Sequence, residues 1–205
     1  EIEGKPMIEH IIQKLKRSGF SNFIITTHYL NEIINEYFGD GVKWNVNISY
    51  IHEDTPLGTG GALTLLPDDI TDLPIIITNG DVITDLDYSK FLEFHNKKQF
   101  DITMCVKRLE NKIDFGVVEV NQDIVEKIVE KPTMSYLINS GVYVVNFDQL
   151  SKFERGIEIT MPEIIEHCQS YGSIVGSFVL KDYWIDVGQP KDFYKVRVNT
   201  NDKNN

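Results

Sequence analysis

The sequence predicts an α/β domain: an open, mostly parallel sheet with helices on both faces and a small antiparallel or mixed β patch in the second half. Three observations carry this. Short β-branched runs alternate with stretches of helical period through the first half of the chain. Glycine-bearing turns fall where those runs end. From Ile102 onward, strand-like runs follow one another with little helix between them. With 205 residues and 41% apolar content the chain can bury one sizeable core. No linker or repeat divides it, so residues 1–200 read as one domain and 201–205 as a polar tail.

The elements follow in order. Pro6 suits a first helical turn, Ile8, Ile11, Ile12 and Leu15 recur at helical spacing, and Gly19 stops the run. An alternating protein normally supplies a strand for such a helix to pack on, so a strand and its loop are expected to precede position 1. Asn22–Thr27 (NFIITT) reads as a buried strand. Residues 30–38 follow as a helix with Ile33, Ile34, Tyr37 and Phe38 on its apolar face, and 46–51 alternate as a strand. The turn Pro56-Leu57-Gly58-Thr59-Gly60-Gly61 leads into a short helix over 62–66. Ile75–Thr78 is a buried strand ending in Asn79-Gly80-Asp81, and Tyr88–Lys98 is helical, with Phe91, Leu92 and His95 roughly on one face. Strand-like runs occupy 102–107, 116–120, 125–129 and 136–145. Helices return over 161–168 and 191–199, around strands at 174–180 and 183–187. The alternation implies right-handed crossovers and a Rossmann-like sheet. Ligands of such sheets bind beyond the carboxyl ends of the strands, which selects the loops after Ile51, Thr78 and Ile185.

Composition narrows the function. Acidic residues outnumber basic ones 31 to 20, giving −11 with no sustained Lys/Arg run, so no nucleic-acid surface is expected. The longest apolar stretches, such as 73–77, are too short to span a membrane. Cys105 and Cys168 cannot build a disulfide framework or a four-ligand zinc site, and no signal peptide is visible; a cytoplasmic location is expected. Ser18, Ser140 and the cysteines have no base arranged for nucleophilic catalysis. His10 and His95 read as helix packing residues, while His28 and His52 follow strands but lack spaced partners.

Four segments can carry chemistry. Glycines at 58–61 let a ligand approach the backbone, and N–H groups at a helix start favour anions or ring acceptors. No Lys follows them, so this is not a phosphate loop of the GxxxxGK[ST] kind; a plain tight turn uses the same residues. Asp81 stands at the end of an apolar strand, available to a ligand or divalent cation, or as a cap of the next segment. Asp186, in Trp184-Ile185-Asp186-Val187-Gly188, would complete a two-carboxylate site for a hard cation if the two converge. In Glu130-Lys131-Pro132, the proline is expected to hold Lys131 extended, suited to a phosphate, although such triplets are common in exposed loops.

In this order the segments resemble the sugar-phosphate nucleotidyltransferase family, whose members join a nucleoside triphosphate to a sugar 1-phosphate. Gly4-Lys5-Pro6-Met7-Ile8 is similar to the segment after the family's activating loop, and Pro56-Leu57-Gly58-Thr59-Gly60-Gly61-Ala62 to its base-recognition turn. Asn79-Gly80-Asp81 resembles its metal-binding strand end, and Phe115-Gly116-Val117-Val118-Glu119 its sugar-binding strand. Glu130-Lys131-Pro132, Asn139-Ser140-Gly141-Val142-Tyr143 and Trp184-Ile185-Asp186-Val187-Gly188 complete the order. The resemblance implies that Gly58, Thr59, Gly60 and Gly80 meet the nucleotide. It implies that Asp81 and Asp186 hold Mg²⁺, that Gly116, Glu130 and Asn139 meet the sugar, and that Lys131 lies near its phosphate. Asp81, Asp186 and Lys131 form the implied catalytic set.

The family's GxGxR loop and the lysine of its PKP segment would precede position 1, so this chain is expected to be a truncated piece, itself inactive. The turn PLGTGGAL is similar to members that transfer guanylyl to mannose- or heptose-type phosphates. The implied partners are therefore a nucleoside triphosphate, with GTP favoured, and a sugar 1-phosphate; a homo-oligomer is left open. Two alternatives stand beside this: a non-catalytic sensing domain of the same fold, and a glycosyltransferase. The second has Asp85-Leu86-Asp87 as an Asp-x-Asp match in letters, but Asp87 reads better as a helix N-cap.

Overall fold

The computed structural model describes residue 2, residues 4–68, residue 70 and residues 73–188. The helix expected over 191–199 and the tail at 201–205 lie outside the described residues. Helix α1 (Met7–Arg17) starts behind Pro6, with Glu9 in its first turn and Lys14, Lys16 and Arg17 in its last, which complements the helix dipole. Its buried Ile11, Ile12 and Leu15 each contribute roughly 1.5–3 kcal/mol. Strand β1 (Asn22–Thr27), helix α2 (Asn31–Phe38) and strand β2 (Asn47–His52) form a β–α–β unit, with β1 and β2 parallel and Asn22 opposite Asn47. Phe38, Trp44, Val46 and Ile48 close with Ile12 into one apolar cluster beneath it. Strand β1 is less buried than its composition suggests: Ile24 is 36% exposed, because the strand alternates faces and β2 is its only ladder partner among the described residues.

The glycine turn becomes a single helical turn, α3 (Gly58–Gly61), continued by a 3₁₀ turn over Ala62–Leu65. Next come β3 (Ile75–Thr78), β4 (Val82–Thr84) and α4 (Tyr88–Lys98), then β5 (Ile102–Lys112), β6 (Val117–Asn121), β7 (Ile124–Val129) and β8 (Thr133–Val145). The short α5 (Phe147–Leu150), α6 (Met161–Ser170), β9 (Val175–Leu180) and β10 (Trp184–Asp186) finish the described fold. The central sheet has the order β3-β8-β5-β9. Strand β8 is antiparallel to both its neighbours and β5 is parallel to β9, so the mixed part reaches into the middle of the sheet.

Period-two alternation puts the core on both faces. Val142 and Val144 of β8 face a cluster with Ile11, Leu15, Tyr88 and Phe91, from α1 and α4. Tyr143 and Val145 face the opposite cluster with Leu150, Ile164, Ile165 and Cys168, from α5 and α6. Helices therefore cover both sides, as the sequence predicts. Each long helix after β3 is capped: Asp87 accepts the Lys90 N–H at 3.0 Å, and Thr160 with Glu163 forms a capping box on α6. Buried His95 sits 2.8 Å from Thr103 Oγ1 and 3.0 Å from Asn146 Oδ1, a satisfied packing histidine. No helix among the described residues is long and apolar enough to cross a membrane.

Candidate functional site

Strand β3 delivers Asn79-Gly80-Asp81 to one rim of the sheet, and β4 leaves that rim at once. Strand β10 pairs antiparallel with β4, placing Asp186 opposite Val82. The Val187 N–H then donates to the Asp81 carbonyl at 2.9 Å. This three-residue ladder carries the two aspartates to the same place. A methyl group added at Gly188 would sit 3.0 Å from Asp186 Oδ1 and 3.8 Å from Asp81 Oδ2, so both carboxylates border the space beside Gly188. The Gly188 N–H donates to Asp186 Oδ1 at 2.8 Å, which fixes that carboxylate. The Asp81 carboxyl is pushed up from the ordinary aspartate range, first by burial and then by the Asp186 charge beside it.

Two crowded carboxylates of this kind fit a hard divalent cation. Among the described residues no group of three or more His, Cys, Asp or Glu forms a fuller metal set. Such an ion would complete its shell with water and phosphate oxygens, which is how magnesium is commonly held.

A turn in β8 backs this rim. The Asn79 N–H donates to the Gly141 carbonyl at 2.9 Å, and the Gly141 N–H donates to Asn139 Oδ1 at 3.0 Å. Gly141 has φ +74°, and an added Cβ would lie 2.8 Å from Asn79 Nδ2, so this close crossing needs glycine. Asn139 Nδ2 donates to the Tyr143 hydroxyl at 2.5 Å. The Trp184 indole N–H donates to the Ser140 carbonyl at 2.9 Å and ties β10 to the same turn. The structure thus brings Asn139, Asp81 and Asp186 onto one rim. Gly80, exposed, has nothing within 4 Å of where a Cβ would stand.

The glycine turn packs elsewhere, against the chain entering α6. Gly58 has φ +77°, and a Cβ there would lie 2.8 Å from the Ile159 carbonyl oxygen. The Gly60 N–H donates to that same oxygen at 2.9 Å, and Thr59 Oγ1 accepts the Met161 N–H at 3.0 Å. Gly60 is buried, with Ile164 Cδ1 2.6 Å from an added Cβ, whereas Gly58 and Thr59 are exposed. Packing is therefore a sufficient reason for glycine at 60, while 58 and 59 present the turn to solvent.

Gly116 and Glu130 meet on a hairpin arm, a Cβ at Gly116 lying 3.0 Å from Glu130 Oε2. Lys131 departs from the expected extended backbone: its φ is +46°. Only Glu130, Lys131 and Pro132 connect β7 to β8, and the Ile113 N–H binds the Pro132 carbonyl at 3.0 Å. The demand of that short turn overrides the local preference of a residue before proline. Asp85 and Asp87 have structural partners: Asp85 pairs with Lys14 at 3.3 Å and Asp87 caps α4, the N-cap role that the sequence favours for it.

The sequence model of the nucleotidyl transferase family matches residues 1–203. The chain belongs to that family. It is 33% identical over 204 residues to the mannose-1-phosphate guanyltransferase of Yarrowia lipolytica, an alignment covering 94% of this chain and 55% of that protein. The chain spans about half the length of the curated relatives it matches. Among solved structures it is similar to HddC from Yersinia pseudotuberculosis, at 27% identity and a TM-score of 0.76, covering 98% of this chain and 88% of that one. The same protein complexed with GMP-PN is similar at 26% identity and a TM-score of 0.75, with the same coverage.

Two positioning residues escaped the sequence reading. Trp184 joins β10 to the β8 turn as described, and an isolated Trp gives no spacing signal. Glu53, buried just after β2, accepts the Leu57 N–H at 3.0 Å through Oε2, and its own N–H donates to the Thr27 carbonyl at 2.8 Å. It holds the entry of the family's glycine turn to the β1–β2 edge. The available signal was an acidic residue directly following a strand, in one of the loops the carboxyl-end rule selects. Glu53→Ala leaves the Leu57 N–H without its acceptor and is expected to cost about 1–3 kcal/mol. Glu53→Gln keeps an acceptor and is expected to recover most of that; thermal unfolding of both variants checks it.

Proposed function

We propose that this chain forms the nucleotide- and sugar-phosphate-handling part of an enzyme that transfers a nucleotidyl group from a nucleoside triphosphate to a sugar 1-phosphate. GTP and a mannose- or heptose-type phosphate are the substrates we favour, since the matched relatives include mannose-1-phosphate guanyltransferases and a neighbouring structure is complexed with GMP-PN. The observation that carries the proposal is the meeting of Asp81 and Asp186 on one rim, through the pairing of β4 with β10. We place the reaction in the cytoplasm, supported by two buried cysteines, Cys105 and Cys168, that form no disulfide.

In the reaction an oxygen of the sugar 1-phosphate attacks the α-phosphorus in line, and pyrophosphate leaves with the electron pair of the broken P–O bond. Both substrates are anions, and each unit pair of like charges costs about 4 kcal/mol at 4 Å near a protein surface. The chain's own charge of −11 adds to that repulsion. Asp81 and Asp186 would hold Mg²⁺, which supplies positive charge beside the phosphates when bound. Asp186 is kept in place by the Gly188 N–H, and Asp81 by the ladder, so the pair is preorganised before substrate arrives. Gly58 and Thr59 offer exposed backbone to the nucleobase, and Gly60 holds the turn against α6. Gly80 leaves room for a phosphate to approach the main chain. Gly116, Glu130 and Asn139 are assigned to the sugar and Lys131 to its phosphate. No covalent intermediate is needed; positioning carries the rate.

Thermal shift of the 205-residue chain with GTP, UTP, dTTP and CTP, each with Mg²⁺, tests the nucleotide part. GTP at a hundredfold excess over its Kd is expected to stabilise by about 2.7 kcal/mol, several degrees in Tm, and the others by less. Equal shifts would remove the guanine preference, and no shift with any would remove the nucleotide site. Pyrophosphate release by the chain extended with an N-terminal GxGxR segment tests transfer.

A further inference from the structure

Asn79-Gly80 is the only Asn-Gly pair in the chain, and it stands in the link from β3 to β4 at the rim that carries Asp81. A main-chain nitrogen can attack the side-chain amide of the asparagine before it when three conditions hold. The amide is unheld, the nitrogen is unheld, and no side chain crowds the approach. Among the described residues neither the Asn79 side chain nor the Gly80 N–H has a hydrogen-bond partner. Gly80 is exposed, and the space around its absent Cβ is open. Two comparable pairs fail these conditions. Asn139-Ser140, on the same rim, has both side-chain atoms occupied: Oδ1 accepts the Gly141 N–H at 3.0 Å and Nδ2 donates to the Tyr143 hydroxyl at 2.5 Å, while Ser140 is buried. In Asp40-Gly41 the Gly41 N–H donates to the Phe38 carbonyl at 3.1 Å, and Asp40 Oδ1 accepts the Val42 N–H at 3.1 Å.

We propose that Asn79 is a site of spontaneous deamidation, and that the isoaspartate formed there pulls Asp81 out of line with Asp186. The Gly80 nitrogen attacks Asn79 Cγ and gives up its proton, and ammonia leaves with the electron pair of the broken C–N bond. The product is a cyclic imide, a succinimide, joining 79 and 80. Water then opens the ring at either carbonyl. Opening at the side-chain carbonyl gives aspartate. Opening at the main-chain carbonyl gives isoaspartate, with the peptide link running through the former side chain and longer by one carbon, about 1.5 Å. This segment is strung between fixed points: the Gly141 carbonyl holds the Asn79 N–H and the Val187 N–H holds the Asp81 carbonyl, both at 2.9 Å. The Gly141 end belongs to buried β8, whereas the Val187 end continues a ladder of three residues, so the Val187 contact gives way. The modification needs neither metal nor nucleotide and stands independently of the proposed transfer reaction.

Ageing of the 205-residue chain at neutral pH and physiological temperature tests this. Mass-spectrometric peptide mapping follows the loss of each amide, and methylation by an isoaspartate-specific carboxyl methyltransferase reads the isoaspartate. Conversion at Asn79 is expected to outpace that at Asn139 about ten- to a hundredfold, since two hydrogen bonds must break at Asn139 first. Gly80→Ala, whose methyl crowds the attacking nitrogen, is expected to bring the rate at 79 down toward that at 139. In the aged chain the Val187 amide loses hydrogen-exchange protection, while Val144 in the middle of the sheet keeps its own. Equal rates at 79 and 139, or a rate at 79 that Gly80→Ala leaves unchanged, would overturn the modification site. Isoaspartate at 79 with the Val187 amide still protected would overturn the displacement of Asp81.

Discussion

Asp81→Ala in the complete enzyme is expected to lower nucleotidyl transfer by about three to four orders of magnitude, some 4–5 kcal/mol of barrier, while the fold is kept. The side chain lies at the rim, and the β4–β10 ladder that shapes the rim runs through main-chain atoms, including the Val187 N–H to the Asp81 carbonyl. Removing the carboxylate therefore removes charge, not scaffold. The electrostatics give a second readout that needs no substrate. Burial and the neighbouring Asp186 raise the Asp81 carboxyl above its ordinary value of 3.8 in the folded chain. A group raised on folding favours the folded state below its unfolded value, and that advantage is lost as pH rises through the folded one. At neutral pH, without metal, the ionised Asp81 works against the fold. Asp81→Asn is therefore expected to raise the Tm of the metal-free chain at pH 7, with the gain shrinking as pH falls toward 3.8. Added Mg²⁺ and nucleotide should then stabilise the unaltered chain more than the variant. Normal turnover by Asp81→Ala together with an unchanged metal-free Tm of Asp81→Asn would remove the carboxylate pair from the mechanism.

That pair also marks how far the sequence could be read. Asp81 and Asp186 are 105 positions apart, and no periodicity links them. The strands that join them, β4 and β10, are three residues each; β10 lies within the strand expected at 183–187, whereas β4 was not anticipated at all. What made each aspartate legible was local: an apolar run ending in an acidic residue, where sheets of this class present ligands. Elements with strong local signals were legible to the residue, as with the helix Tyr88–Lys98 and the apolar run Ile75–Thr78. The distal end of β5 and the first three residues of β8 were not, because RLENK and TMS carry the polar character of exposed strand, which resembles loop. The helix expected at 62–66 begins instead on Gly58–Gly61, four residues of poor intrinsic helicity. Contact with the chain entering α6 supplies what propensity does not. Lys131 shows the same ordering of strengths, with a three-residue connection prevailing over the proline that follows it.

Gly61→Ala and Gly80→Ala separate packing glycines from ligand glycines, and their effects are expected to fall on different measurements. Gly61 has ordinary helical angles, φ −66° and ψ −37°, so alanine there meets no backbone penalty. Its Cβ would nonetheless run into the Ile157 carbonyl oxygen and the Leu57 side chain, neither of which is the free end of a flexible group. Overpacking of this sort costs about 1–3 kcal/mol, or about 2–4 °C of Tm for each kcal/mol in a chain of this size. Gly80 is the converse. It does not sit at positive φ, and its added methyl would meet nothing within 4 Å. Alanine at 80 is therefore expected to leave Tm unchanged or raise it slightly, since it restricts the unfolded chain. If a phosphate passes close to the main chain beside Asp81, that same methyl stands in its way, and nucleotide Kd should rise tenfold or more, about 1.4 kcal/mol. A stable Gly61→Ala variant would refute the packing role of the turn. A Gly80→Ala variant that binds nucleotide as tightly as the parent would place the phosphate away from this strand end. Asp81 would then be left facing a ligand that does not approach the backbone preceding it.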